Sequence, residues 1–258
     1  MDIGQRQTVV ITGASGGLGA AIARRYAADG AAVGLIARRS SELQALAAEH
    51  PAQYRLQAAD VRDSATMRAA AEALAATQGL PDIVIANAGV SIGTLTEAPE
   101  DEQAFRDVFE INVIGMMNTF QPYAAAMRAR GHGVLVGIAS VAGYRGLPGS
   151  GAYSSSKAAV ISYLESLRVE LRGSGVSVIT ICPGYIVTAM TSKNPYRMPF
   201  IMSADTAAAK IAAIIARRKT YAVIPWQMAV VARLMHVLPR WIYDPLAAKS
   251  GRKPRREH

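Results

Sequence analysis

The chain has 258 residues, 51 % of them apolar, with 28 lysines and arginines against 19 aspartates and glutamates, a net charge of +9. That length carries one large α/β domain or two small ones, with enough apolar surface for a substantial core. A single cysteine, Cys182, excludes a disulfide framework or a cysteine-built metal site, and His50, His132, His236 and His258 are too scattered to suggest another metal. No run reaches the ~18 uncharged apolar residues of a membrane span. Residues 1–7 lack the apolar region of a secretion signal, so a cytoplasmic protein is expected. The basic balance suits nucleic acid, an anionic membrane or an anionic cofactor. Part of it is local: Lys249, Arg252, Lys253, Arg255 and Arg256 crowd residues 249–258 against one acid, Glu257, which reads as a solvated, mobile tail.

Along the chain, strand-like and helix-like stretches alternate. Residues 8–12 form a β-rich run, and residues 18–29 an alanine-rich helix closed by Gly30. Residues 32–37 predict a second strand, and 41–49 a helix with Ser40 or Ser41 as N-cap. Strands follow at 54–59 and 82–86, with a helix at 64–78 between them. Residues 100–130 read as one long helical region, 133–138 as a strand, 152–172 as a helix and 176–182 as a sixth strand. A helix at 203–218 and a seventh strand at 221–224 complete the series. Such alternation implies parallel βαβ units with right-handed crossovers. Several strands are almost continuously apolar, as when helices cover both sheet faces. The expected fold is α/β: a doubly wound, Rossmann-type parallel sheet of about seven strands with helices on both faces. With no internal repeat or linker, residues 1–248 read as a single dinucleotide-binding domain.

The first strand runs into Gly13, Ala14, Ser15, Gly16, Gly17, Leu18 and Gly19, which open the next helix. Glycines there let the chain turn sharply and approach a pyrophosphate, whose charge is favoured at a helix N-terminus. The second strand ends in Ala37-Arg38-Arg39, where an acid would repel a ribose 2′-phosphate and a guanidinium would bind one. NADP(H) is therefore the expected cofactor, with Arg38 its primary phosphate contact and Arg39 beside it.

Tyr153 and Lys157 stand one helical turn apart on one face, with Ser140 upstream. A tyrosine hydroxyl titrates near ~10 and exchanges protons poorly at neutral pH. A lysine charge beside it is expected to lower that value. Tyr153 could then donate a proton to a carbonyl oxygen as hydride reaches carbon, or accept it in reverse.

In this order, Thr12-Gly13-x-x-x-Gly17-x-Gly19, Asp60-Val61, Asn87-Ala88-Gly89, Asn112, Ser140, Tyr153-x-x-x-Lys157, Pro183-Gly184 and Thr188 resemble the short-chain dehydrogenase/reductase family, in its single-domain branch. The resemblance implies that Lys157 also holds the nicotinamide ribose, that Ser140 hydrogen-bonds the substrate oxygen, and that Asn112 binds a water linking Lys157 to solvent. A helix distortion at Asn112 would fit that role. Asp60 and Val61 would flank the adenine. Asn87, Ala88 and Gly89 would pack near the adenosine ribose, Asn87 either tying neighbouring strands together or touching cofactor. Pro183, Gly184, Ile186 and Thr188 would position the nicotinamide, and a homodimer or homotetramer would be expected.

Residues 189–203 read as a substrate lid, in which Met190, Tyr196, Met198, Pro199, Phe200, Ile201 and Met202 offer an adaptable apolar surface. They either touch a hydrophobic substrate or pack on the protein itself. Residues 226–245 form an apolar extension with Trp226 and Trp241 near arginines. One reading is peripheral contact with a membrane surface; the other, which is favoured, is a helix at a subunit interface or over the cleft. The expected activity is NADPH-dependent reduction of a hydrophobic, lipid- or steroid-like ketone or aldehyde. A nucleotide-sugar epimerase would need a larger C-terminal domain, and a non-catalytic NADPH sensor would not need the proton relay. Nucleic-acid binding has only the net charge in its favour.

Overall fold

Apolar runs and glycine stops give the described residues seven strands: β1 (Thr8–Thr12), β2 (Ala32–Ala37), β3 (Tyr54–Ala58), β4 (Ile83–Ala86), β5 (Gly133–Ile138), β6 (Val176–Pro183) and β7 (Tyr221–Ile224). The helices are α1 (Gly17–Ala28), α2 (Ser40–Ala47), α3 (Ser64–Gln78), α4 (Glu102–Phe109), α5 (Gly115–Arg130), α6 (Gly151–Glu170), α7 (Ala204–Ala216), α8 (Trp226–Val237) and α9 (Arg240–Ala248). The computed structural model describes residues 6–256, so residues 1–5 of the opening stretch, and Glu257 and His258 of the tail, lie outside it.

The strands pair in parallel in the order β3-β2-β1-β4-β5-β6-β7. In β1, Val10 registers with Gly34 of β2 on one side and Val84 of β4 on the other. The order reverses at β1, which opens a crevice between the carboxyl ends of β1 and β4, the usual ligand position in such sheets. Successive strand residues point to opposite faces. Val9, Ile11, Leu35, Ile85 and Val136 join the core under α1 and α7, while Val10, Val84, Leu135 and Val178 join the core under α3, α5 and α6. Both faces are covered, which is why these strands read as continuously apolar.

Two helical boundaries differ from expectation. Arg39, not Ser40 or Ser41, is the N-cap residue of α2, and no side chain caps that end. The extended backbone at Arg39 starts the helix at Ser40, so that serine is already inside it. The 100–130 region is not one helix. A 3₁₀ turn at Pro99–Asp101 leads into α4, and a π turn at Glu110–Ile114 separates α4 from α5.

The tail is also unlike a solvated end. Arg255 forks onto Glu100 at 2.7 Å and Asp101 at 2.8 Å, and Arg256 pairs with Asp107 at 2.8 Å. Gly93 N–H donates to the Pro254 carbonyl at 2.9 Å. The acids on and before α4 supply counter-charges that linear spacing conceals. Upstream of the tail, α8 rests on Val141 and Val223 through Met228 and Ala232. Arg145 donates to the carbonyls of Met235 at 2.8 Å and Leu238 at 2.7 Å, satisfying that helix end. Trp226, Val230, Leu234 and Val237 form an exposed stripe on α8, continued by Trp241 and Leu246 of α9. No helix among the described residues is long and apolar enough to cross a membrane.

Candidate active site

The glycine turn is shaped by close approaches. Gly13 has φ +67°, and a Cβ there would lie 2.8 Å from the Ala88 Cα. A Cβ at Gly19 would run into the Gly13 carbonyl and stand 2.6 Å from Asn87 Nδ2. Asn87 locks this arrangement: its Nδ2 donates to the carbonyls of Thr12 at 3.1 Å and Gly13 at 3.3 Å. It therefore ties β4 to β1, one of the two roles expected of it. At Gly16, by contrast, an added Cβ would meet nothing within 4 Å. Helix α1 starts there with no side-chain cap and no acid in its first turn, so its N-terminal N–H groups and positive dipole end face outward.

Arg39 reaches over this turn. Its Nη2 donates to Ser15 Oγ at 3.2 Å, and its Nη1 pairs with Glu42 at 2.7 Å. Arg38, expected as the primary contact, instead stands 3.9 Å from Asp60. Burial alone would raise the Asp60 pKa, but hydrogen bonds from Arg62 and the charges of Arg62 and Arg38 hold it below the usual carboxylate value. The Val61 carbonyl accepts from Asn118 at 2.8 Å. Thr188 comes across from the far side of the crevice, with its Cγ2 at 3.2 Å from where a Gly17 Cβ would sit. Thr191 Oγ1 bonds the Ile186 carbonyl at 2.6 Å and accepts from Thr188 N–H at 3.1 Å. Pro183 ends β6, and Gly184 N–H donates to the Ile224 carbonyl at 2.7 Å.

Ser140 lies two residues past the end of β5 and caps the 3₁₀ turn that follows, while Tyr153 and Lys157 lie on α6. Lys157 is buried, its Nζ donating to the Ile138 carbonyl at 2.8 Å and lying 5.9 Å from the Tyr153 ring centroid. Burial pulls the Lys157 ammonium down to about 8. Burial pushes the Tyr153 hydroxyl up, and a side-chain interaction with Ser140 works the other way. The expected lowering of Tyr153 by Lys157 is thus not the net result. The ammonium is committed to the Ile138 carbonyl, and desolvation of the phenol dominates.

Asn112 sits on the π turn, fully buried. Its Oδ1 accepts from Val90 N–H at 2.8 Å, and its Nδ2 donates to the Val90 carbonyl and Ser156 Oγ, both at 3.0 Å. A Cβ at Gly89 would lie 3.1 Å from Asn112 Oδ1 and 3.6 Å from Lys157 Nζ. Gly89 therefore lets the π turn and Lys157 close up around one point. π turns of this kind recur at functional sites.

Sequence reasoning passed over several neighbours. Cys182 Sγ lies 3.2 Å from the Tyr221 hydroxyl, which donates to the Tyr144 hydroxyl at 2.7 Å. Burial pushes the thiol up to about 11, which makes it an inert wall rather than a nucleophile. Tyr185 and Tyr196 pack edge to face with centroids 6.3 Å apart, and burial pushes both hydroxyls up. Of the two expected substrate contacts on the lid, Tyr196 is half-buried against Tyr185, whereas Met190 is exposed. Lys253 of the tail places its Nζ 5.4 Å from the Tyr153 ring centroid. The basic composition of the tail was legible, but nothing local said which lysine turns inward.

The sequence matches the short chain dehydrogenase family over residues 7–198. A protein of Myxococcus xanthus named an uncharacterized oxidoreductase is 38 % identical over 251 residues, covering 94 % of this chain and 97 % of its own. A short chain dehydrogenase/reductase of Burkholderia phymatum, solved in complex with NAD, is 25 % identical with a TM-score of 0.82, covering 100 % of this chain and 99 % of that one. An alcohol dehydrogenase of Thermococcus sibiricus, solved with 5-hydroxy-NADP, is 25 % identical with a TM-score of 0.76, covering 85 % and 96 %. With that match spanning β1 to the segment after β6, and with the seven-stranded parallel sheet behind it, the chain belongs to the short-chain dehydrogenase/reductase family and is an oxidoreductase.

Proposed function

We propose that the protein is an NADP(H)-dependent reductase of a carbonyl compound with a sizeable apolar part, reversible toward the secondary alcohol. The observation that carries this reading is the convergence of Ser140, Tyr153, Lys157 and Asn112 at the carboxyl edge of the sheet. The turn fits a dinucleotide: Gly16 leaves room, α1 offers uncapped N–H groups, and Ser15 and Arg39 supply donors at its rim. Leu18, Gly19, Ala88, Asp60 and Val61 would line the adenosine side. Pro183, Gly184, Ile186 and Thr188 would line the nicotinamide side. The bound nicotinamide supplies or takes the hydride at the carbonyl carbon.

The chain's own residues do the rest. Ser140 and Tyr153 hold the carbonyl oxygen, and the Tyr153 hydroxyl gives it a proton as negative charge develops there. Lys157 stabilises the phenolate left behind and, with Asn112, leads toward a replacement proton. NADP(H) preference rests on the absence of an acid after β2 and on Arg39 over Ser15, with Arg38 in support. Because NAD and NADP ligands both occur among the solved relatives, this preference needs its own test. Separate Arg39→Ala and Arg38→Ala variants, titrated with NADPH and NADH, should lose NADPH affinity and keep that for NADH. Unchanged NADPH affinity in both variants would reject the preference.

Exposed Phe105, Ile114 and Val169, on α4, the π turn and α6, support a homodimer or larger homo-oligomer. The stripe on α8 and α9 supports either a further subunit contact or peripheral membrane contact. Liposome flotation of the full chain would separate these two.

A further inference from the structure

After α9 the chain turns back over the mouth of the cleft and is fastened there at several points. Gly93 bridges in parallel to Arg255 and donates to the Pro254 carbonyl. A Cβ at Gly93 would strike the Lys253 and Pro254 carbonyls, and one at Gly251 would lie 2.5 Å from the Tyr196 Cβ. Arg252 packs along Gly149. These are contacts of a seated segment, made against Gly93 after β4, Gly149 before α6 and Tyr196 of the lid.

The basic side chains of this segment divide in two. Arg255 and Arg256 are neutralised by Glu100, Asp101 and Asp107. Lys253 points the other way. It is half-buried, its Nζ stands 5.4 Å from the Tyr153 ring centroid, and no acid pairs with it among the described residues. Contact with the ring face is a weak substitute for a counter-ion. Withdrawing an ammonium from water is unfavourable unless an anion compensates it. Burial accordingly pulls this ammonium down to about 8. The fastening of the tail by its arginines holds that cation over the ring of Tyr153, the residue that addresses the carbonyl.

We propose that Lys253 is a substrate-binding residue whose ammonium receives a carboxylate carried by the substrate, close to the carbonyl group that Tyr153 addresses. The substrate class is then an oxo acid or hydroxy acid with an apolar body, the acid group against Lys253 and the body against Tyr185 and Tyr196. This rests on the reading of Tyr153 as the proton donor.

The test needs no turnover. The full chain is titrated calorimetrically with NADP+ alone, then with octanoate and with octanol in its presence. Octanoate should bind about tenfold tighter than octanol, as a charge-assisted hydrogen bond allows. Lys253→Met should erase that preference, and Lys253→Arg should retain it. Equal binding of the two probes by the wild type, an unchanged preference in Lys253→Met, or an equal loss for both probes would overturn the proposal. Failure of NADP+ to bind is read separately and counts against the proposed function. In that case the probe titrations are run without it.

Discussion

Lys157 is a buried cation whose one hydrogen bond among the described residues goes to a neutral carbonyl, so replacing it with methionine should stabilise the ligand-free protein while abolishing turnover. Desolvation lowers its pKa to about 8, the Cys182 thiol acting weakly against that. An unfolded lysine titrates near ~10.4, and the difference corresponds to about 3 kcal/mol of destabilisation near pH 7. The sign follows from proton uptake. The unfolded chain holds this proton more tightly than the folded one, so the penalty is full below about pH 8 and fades as pH rises toward ~10.4. At about pH 9.5 only about 1 kcal/mol remains. Methionine also strands the Ile138 carbonyl, at a cost of about 1 kcal/mol. The net gain for Lys157→Met is then about 2 kcal/mol near pH 7 and close to zero at about pH 9.5. In a chain of this length that is a Tm rise of roughly 4–8 °C at the lower pH. Scanning calorimetry of both proteins at the two pH values, without cofactor, reads it directly. A variant that melts below the wild type near pH 7 would show that the contacts of Lys157 outweigh its desolvation, and the reasoning would be wrong.

Asn112→Ala strands the Val90 N–H and carbonyl, while the Ser156 hydroxyl loses the Asn112 donor and keeps its own bond to the Tyr153 carbonyl. A loss of about 3 kcal/mol in urea unfolding is expected, and an unchanged midpoint would deny the π turn its hydrogen-bonded anchor. Gly19→Ala drives a methyl into the Gly13 carbonyl and toward Asn87. It should cost both stability and NADPH affinity; wild-type binding would mean the turn has slack that its geometry does not suggest.

What could be read from the sequence was local or periodic. The strand–helix alternation and the glycine spacing after β1 follow from side-chain period and backbone freedom, and both appear where expected. The π turn was legible only as a fitting place for a distortion, since residues 110–114 carry no marker of an extra backbone residue in the turn. Burial was not legible either, which reversed the net shift at Tyr153. The seating of the tail was hidden for a different reason. Arg255 meets Asp101 across 154 positions, and composition alone makes a run of basic residues look solvated. The same distance concealed Lys253. At α2, two serines in favourable positions lost the cap because the backbone of Arg39 had already turned extended.

The most direct test of the mechanism is Tyr153→Phe, followed by NADPH fluorescence first in a binding titration and then during incubation with apolar ketones and oxo acids. The expected result is NADPH binding within about twofold of the wild type and no NADPH oxidation, against steady oxidation by the wild type. Sustained oxidation by the variant would contradict the proton-donor role, and absence of NADPH binding by the wild type would contradict the cofactor assignment itself.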